Sequence, residues 1–87
     1  MAKSEAQKIA AALVRFYTVD GHGWCQGYIH RGNDYCIDGA CRALRFSRTR
    51  MDTLQTMLGG YIWSWNDAPG QTKAKVVARL RAIAGGR

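Results

Sequence analysis

No apolar run in the 87 residues approaches the ~20 that a membrane-spanning helix needs, so no helical span is expected. The N-terminal stretch from Ile9 to Val14 is short and is closed by Arg15, with no cleavage-type segment beyond it, so no export signal is expected either. Cysteine is scarce and odd in number: three, with no Cys-x-x-Cys pair. That argues against the disulfide framework of a small secreted domain and points to reduced thiols in a cytoplasmic setting. Acidic residues are few, six against 13 Lys and Arg, which leaves a formal charge of +7. Such a charge favours polyanionic partners: nucleic acid, an anionic membrane face or an acidic protein. It also keeps a soluble protein from self-association, and it says nothing about fold. Internal repeats, linkers and low-complexity segments are missing too, so residues 1–87 read as a single domain.

What is present suits a small globular fold. The apolar fraction of 47% is too high for a disordered chain. A domain of this size hides only about 60% of its unfolded surface, so its stability margin is thin. The unusual residues concentrate between Gly21 and Cys41, a stretch with all three cysteines, both histidines and five of the ten glycines.

The periodicity predicts an α+β architecture: an N-terminal helix, a β-hairpin, then three helices packed as a small bundle. The first helix runs from about Ser4, an N-cap, to Tyr17. Its stripe is Ala6, Ile9, Ala10, Leu13, Phe16 and Tyr17. From Trp24 to His30 the period shortens to two. Trp24, Gln26, Tyr28 and His30 then share one side of a strand and Cys25, Gly27 and Ile29 the other. Cys25 is expected on the buried side, because cysteine behaves as a small apolar residue. Residues 31–34, Arg-Gly-Asn-Asp, are turn chemistry, and Tyr35 to Ile37 returns as a second strand. A second helix from Ile37 or Asp38 to about Arg45 buries Ala40, Cys41 and Leu44, and Gly39-Ala40 permits a close neighbour. Ser47 caps a third helix, about Arg48 to Leu58, with Met51, Leu54, Met57 and Leu58 inside and Gly59-Gly60 at its end. Tyr61 to Trp65 is an aromatic segment, extended or a last helical turn; if extended, Trp63 and Trp65 share a face. Asn66 to Gly70 is a turn, and Thr72 caps a last helix, about Lys73 to Ala84, with Val76, Val77, Leu80 and Ile83 inward.

Four chemistries are open to these residues. His22, Cys25, His30, Cys36 and Cys41 include enough ligands for zinc, but only His22-x-x-Cys25 has a suitable spacing, so no metal and no cofactor are expected. Cys25 with His22 or His30, oriented by Asp34 or Asp38, imitates a thiol–imidazole pair. On a strand, however, Cys25 and His30 point to opposite faces, and a non-enzyme is expected. Arg42, Arg45, Arg48 and Arg50 surround the second turn, and Lys73, Lys75, Arg79 and Arg81 crowd the last helix. Arg31, Tyr28 and His30 add phosphate or stacking contacts on the hairpin. Within the third helix only Thr49 and Gln55 suit base edges, so any nucleic-acid binding is expected to be sequence-tolerant and salt-dependent. Trp63 and Trp65 supply an interface anchor wherever one is exposed.

Two segments carry a resemblance. Gly23-Trp24-Cys25-Gln26-Gly27 is followed by Tyr35-Cys36-Ile37-Asp38-Gly39-Ala40, and Trp65-Asn66-Asp67-Ala68-Pro69-Gly70-Gln71-Thr72 leads into the terminal helix. In order and spacing they resemble a small family of uncharacterised domains of actinobacteria and their phages, over most of the chain from Gly23 onward. The short hairpin and Cys41 depart from that family's pattern. The resemblance implies an architecture and a setting but no mechanism. With the residues above, it leads to an expected non-enzymatic, phage-related binding protein acting on a host protein or nucleoprotein complex. Direct DNA or RNA binding is the alternative. The contact residues expected are Arg31, Arg42, Arg45, Arg48, Arg50, Lys73, Lys75, Arg79, Trp63 and Trp65.

Overall fold

A computed structural model describes residues 3–86. Helix α1 (Glu5–Tyr17) starts at a reciprocal cap. The Gln7 N–H donates to Ser4 Oγ at 3.2 Å, and the Ser4 N–H donates to Gln7 Oε1 at 2.7 Å, which satisfies two amides the first turn would otherwise leave open. The predicted stripe Ile9, Ala10, Leu13, Phe16 and Tyr17 is buried against α3 and α5. Burying each large side chain contributes about 1.5–3 kcal/mol, so packing fixes this helix more than propensity does.

The strands depart from expectation. There are three, each of two residues: β1 (Gly23–Trp24), β2 (His30–Arg31) and β3 (Asp34–Tyr35). The order is β1-β3-β2, with β1 parallel to β3 and β2 antiparallel to it. Only β2 and β3 form a hairpin, across Gly32 and Asn33. The expected strand from Trp24 to His30 is broken because Gly27 adopts φ +79°, a left-handed conformation closed to extended backbone. Residues 25–29 are therefore a loop, and alternation does not sort their side chains. Cys25 is half-buried, Gly27 and Ile29 are exposed rather than inward, and Trp24 packs on the core rather than facing out, while Gln26, Tyr28 and His30 are exposed.

Cys36 caps α2 (Ile37–Ala43), its Sγ accepting the Gly39 N–H at 3.3 Å. Gly39 is where the loop crosses the helix: a Cβ there would overlap the Ile29 carbonyl. The helix stops two residues before the expected Arg45. The Arg45 N–H bonds Arg42 O and the Phe46 N–H bonds Cys41 O, both at 3.0 Å. This is a Schellman closure with arginine, at φ 59°, where glycine is usual.

Ser47 caps α3 (Arg48–Leu58) as expected, accepting the Arg50 N–H at 3.2 Å. Leu54 and Leu58 are buried, but Met57 is 37% exposed, because it lies off the stripe those leucines define. The aromatic segment is helical, α4 (Ile62–Asn66), so four helices follow the hairpin rather than three. Residues two apart on a helix lie about 200° apart. Trp63 and Trp65 therefore do not share a face: Trp65 packs on the core and Trp63 is 60% exposed. Thr72 caps α5 (Lys73–Ala84), accepting the Lys75 N–H at 3.2 Å, and Val76, Leu80 and Ile83 are buried. All five helices contribute to one apolar core, and Tyr17 ties α1 to β3 by donating its hydroxyl to Tyr35 O at 2.9 Å.

Candidate partner-binding face

The two segments that carry the sequence resemblance are hydrogen-bonded to each other. Asn66 is fully buried at the end of α4. Its Oδ1 accepts the Trp24 indole N–H at 2.7 Å and the Ile37 N–H at 3.0 Å, and its Nδ2 donates to Cys25 O at 3.1 Å and Asp67 Oδ1 at 2.9 Å. Those four bonds use the whole capacity of the amide and leave one orientation that satisfies them. Gln26 Nε2 donates to the Asn66 and Ala68 carbonyls, both at 3.1 Å, and the Gly27 N–H donates to Asp67 Oδ1 at 3.2 Å. Gln71 closes the turn on Trp65 O at 3.0 Å. A buried polar cluster is stabilising only when every member is paired, and here no buried side-chain polar atom among the described residues lacks a partner.

This clamp holds up a surface. The 25–29 loop presents Tyr28, 56% exposed, and Ile29, 45% exposed. Facing them is Trp63, whose ring stacks on that of Tyr61 with centroids 6.1 Å apart and planes at 12°. A groove of about 160 Å³ lies between, lined by Tyr28, Ile29, Cys36, Asp38, Trp63 and Asp67 among others. Through Asp38 it adjoins a second cleft of about 410 Å³, where Arg42, Arg48, Met51, Asp52, Gln55 and Tyr61 meet. Four large apolar side chains around two grooves form an anchor-type surface.

The expected contact residues are not gathered into one patch. Arg42 and Arg48 line the same cleft, with Arg42 held on Asp38 at 2.9 Å. The Arg31 guanidinium lies over the Tyr28 ring at 5.3 Å. Arg50 pairs with Glu5 at 2.7 Å and lies over Phe46. Three others reach backbone carbonyls: Lys73 to His22 at 2.9 Å, Lys75 to Gly70 at 3.0 Å and Arg79 to Met57 at 3.0 Å. Arg45 terminates α2. Trp63 belongs to the face and Trp65 does not.

The thiols and imidazoles are not brought together, although Cys36 lines the groove. His22 stacks on Phe16 at 4.0 Å, and its Nδ1–H donates to Asn33 Oδ1 at 2.7 Å; His30 stacks on Tyr35 at 5.5 Å. Burial pushes the Cys41 thiol up to about 12, with Asp38 and Cys36 adding to it. Burial raises Cys36 as well, opposed by the Gly39 N–H. Cys25 is raised by burial first, then by Cys36, Asp34 and Asp67, and its thiol donates to Tyr28 O at 3.7 Å. A thiol held protonated is a poor nucleophile and a poor ligand. Among the described residues, no three His, Cys, Asp or Glu side chains are grouped to hold a metal ion, and no helix is long and apolar enough to cross a membrane.

Sequence reasoning missed the clamp residues Gln26, Asn66 and Asp67, and it missed Ile29 and Tyr61 as surface anchors. One signal was available for the first group: an Asn directly after Ile62-Trp63-Ser64-Trp65, too apolar a segment for an idle amide. For Ile29 and Tyr61 there was none, since exposure followed from the loop and from α4.

A family model described as "Family of unknown function (DUF6197)" matches residues 7–85. No curated protein and no solved structure matches the chain.

Proposed function

Since the chain belongs to this family of unknown function, membership supplies no activity, and we propose from the site that it is a small non-enzymatic binding module. In this reading it contacts a host protein or nucleoprotein complex through Tyr28, Ile29, Tyr61 and Trp63. One observation carries the reading: these four large side chains stay in water on one face while the polar clamp beneath them is fully paired. Exposed aromatics that hold up no part of the fold are the residues that anchor interfaces. The raised thiols and the separated imidazoles support a role without catalysis. The phage-related setting comes from the resemblance of the Gly23–Gly27 and Trp65–Thr72 segments, and the cytoplasmic one from the scarce, odd-numbered cysteines.

Direct nucleic-acid binding remains the second reading, favoured by Arg42 and Arg48 beside the stacked Tyr61 and Trp63 rings. Against it, Lys73, Lys75 and Arg79 each commit one donor to a backbone carbonyl, at places far apart in the fold. A pull-down from host lysate with and without nuclease separates the two. Expected is a captured protein that survives nuclease and is lost with Trp63→Ala. Capture that disappears on nuclease treatment would promote the second reading.

A further inference from the structure

In a chain of net charge +7, the groove between the 25–29 loop and Trp63 is lined by two carboxylates, Asp38 and Asp67, and by no lysine or arginine. Asp38 is paired with Arg42, and Arg31 stands at the rim over Tyr28, which leaves the Asp67 carboxylate as the one in the groove without a cation among the described residues. The surface elsewhere carries the balance of the +7 charge. We propose that this groove receives an arginine or lysine side chain of a protein partner, its cation over the Trp63 ring and against the Asp67 carboxylate. The proposal rests on the protein-binding reading given above and names what that face recognises.

Three features support it. Asp67 is already oriented: its Oδ1 accepts both the Asn66 amide and the Gly27 N–H, which fixes the carboxylate at the groove while Oδ2 makes no hydrogen bond within the described residues. The rim already attracts guanidinium groups, since Arg42 sits on Asp38 and Arg31 over Tyr28. Trp63 and Asp67 have no such cation among the described residues. Finally, the groove itself, at about 160 Å³, has room for one extended side chain. An aromatic face beside a fixed carboxylate favours a cation twice, by the ring quadrupole and by a charge-assisted hydrogen bond. Arginine fits better than lysine, because its planar fork stacks and bonds at once.

The test uses the full ¹⁵N-labelled chain and capped pentapeptides with a central Arg, Lys, Glu or Leu, and a thymidine octanucleotide as the nucleic-acid probe. The Arg peptide should shift the Trp63 indole N–H and Gly27 amide signals, with Lys weaker and Glu silent. Asp67→Asn keeps an oxygen for Gly27 and Asn66, and should weaken the Arg peptide about tenfold. Trp63→Ala should abolish the effect with the rest of the spectrum unchanged. Equal shifts from Leu and Arg, or an unchanged affinity in Asp67→Asn, would overturn the cation site and leave the protein-binding reading standing. Shifts from the oligonucleotide alone would overturn both, and silence from every probe would also overturn the cation site.

Discussion

Replacing Asn66 with alanine tests the clamp most directly. The change removes the acceptor of the Trp24 indole and the Ile37 amide and the donor to Cys25 O. A buried polar group left without a partner costs about 1–3 kcal/mol. The Ile37 amide is buried, so its loss is the fullest of the three; the other two are partly buried, so water recovers some of theirs. The expected destabilisation is therefore about 3–5 kcal/mol in all. A chain of 87 residues has roughly 4–13 kcal/mol to lose. The urea midpoint should fall by about 2 M or more, and at the low end of that stability range the variant is unfolded at 37 °C. Two companions calibrate it. Trp24→Phe keeps a six-membered aromatic ring but loses the pyrrole part of the indole with its donor, and should cost about 1–3 kcal/mol. Trp63→Ala touches nothing in the clamp and should stay within about 0.5 kcal/mol. A loss below about 1 kcal/mol for Asn66→Ala would refute the argument, since it would mean that water holds these groups as well as the amide does.

Arg45→Gly should stabilise the chain by about 0.5–1 kcal/mol in a denaturant melt, because glycine carries no penalty at φ 59°; destabilisation would mean that the Arg45 side chain makes a contact worth more than the backbone strain. In the native state a thiol reagent followed by mass spectrometry should label Cys25 alone and slowly, since Cys36 and Cys41 are buried and all three thiols are held protonated. Early labelling of Cys41 would place it outside the core. Stability should fall as pH rises above about 8.5. Cys41 titrates from its ordinary 9.0 up to about 12 on folding, so between those values the folded chain binds the extra proton and stability declines as pH rises. Cys41→Ala should make that decline shallower, leaving the part due to Cys25, Cys36 and Tyr17, which burial raises too, and an unchanged slope would assign it to those groups.

Much of the helical frame was legible in the sequence. Ser4, Ser47 and Thr72 were readable as caps because capping is a local rule, and the α1 and α5 stripes because their period is unbroken. The α+β class followed from the change of period at Trp24. What failed depended on contacts across the chain. Nothing local announces that Gly27 turns left-handed so that Gln26 can reach Asn66 and Ala68. Once it does, the strand from Trp24 to His30 cannot exist and the inward face expected for Cys25 disappears. The Tyr61–Trp65 segment was ambiguous because five residues fit either period. Of the candidate site, Trp63 and the Arg42–Arg48 pair were visible in the sequence. Ile29 was assigned to the wrong side, and Tyr61 was not singled out.

The bonds between residues 24–27 and 66–68 span some 40 positions of the chain. The two stretches are thus obliged to change together over evolutionary time. A relative that loses the indole at the position of Trp24 has no use for the oxygen at that of Asn66, and one that replaces Asn66 must find new partners for a helix amide and a loop carbonyl at once. Tyr28, Ile29, Tyr61 and Trp63 are under no such mutual obligation. Within such a family the holding residues would co-vary as a block, while the displayed ones drift singly with whatever each member meets.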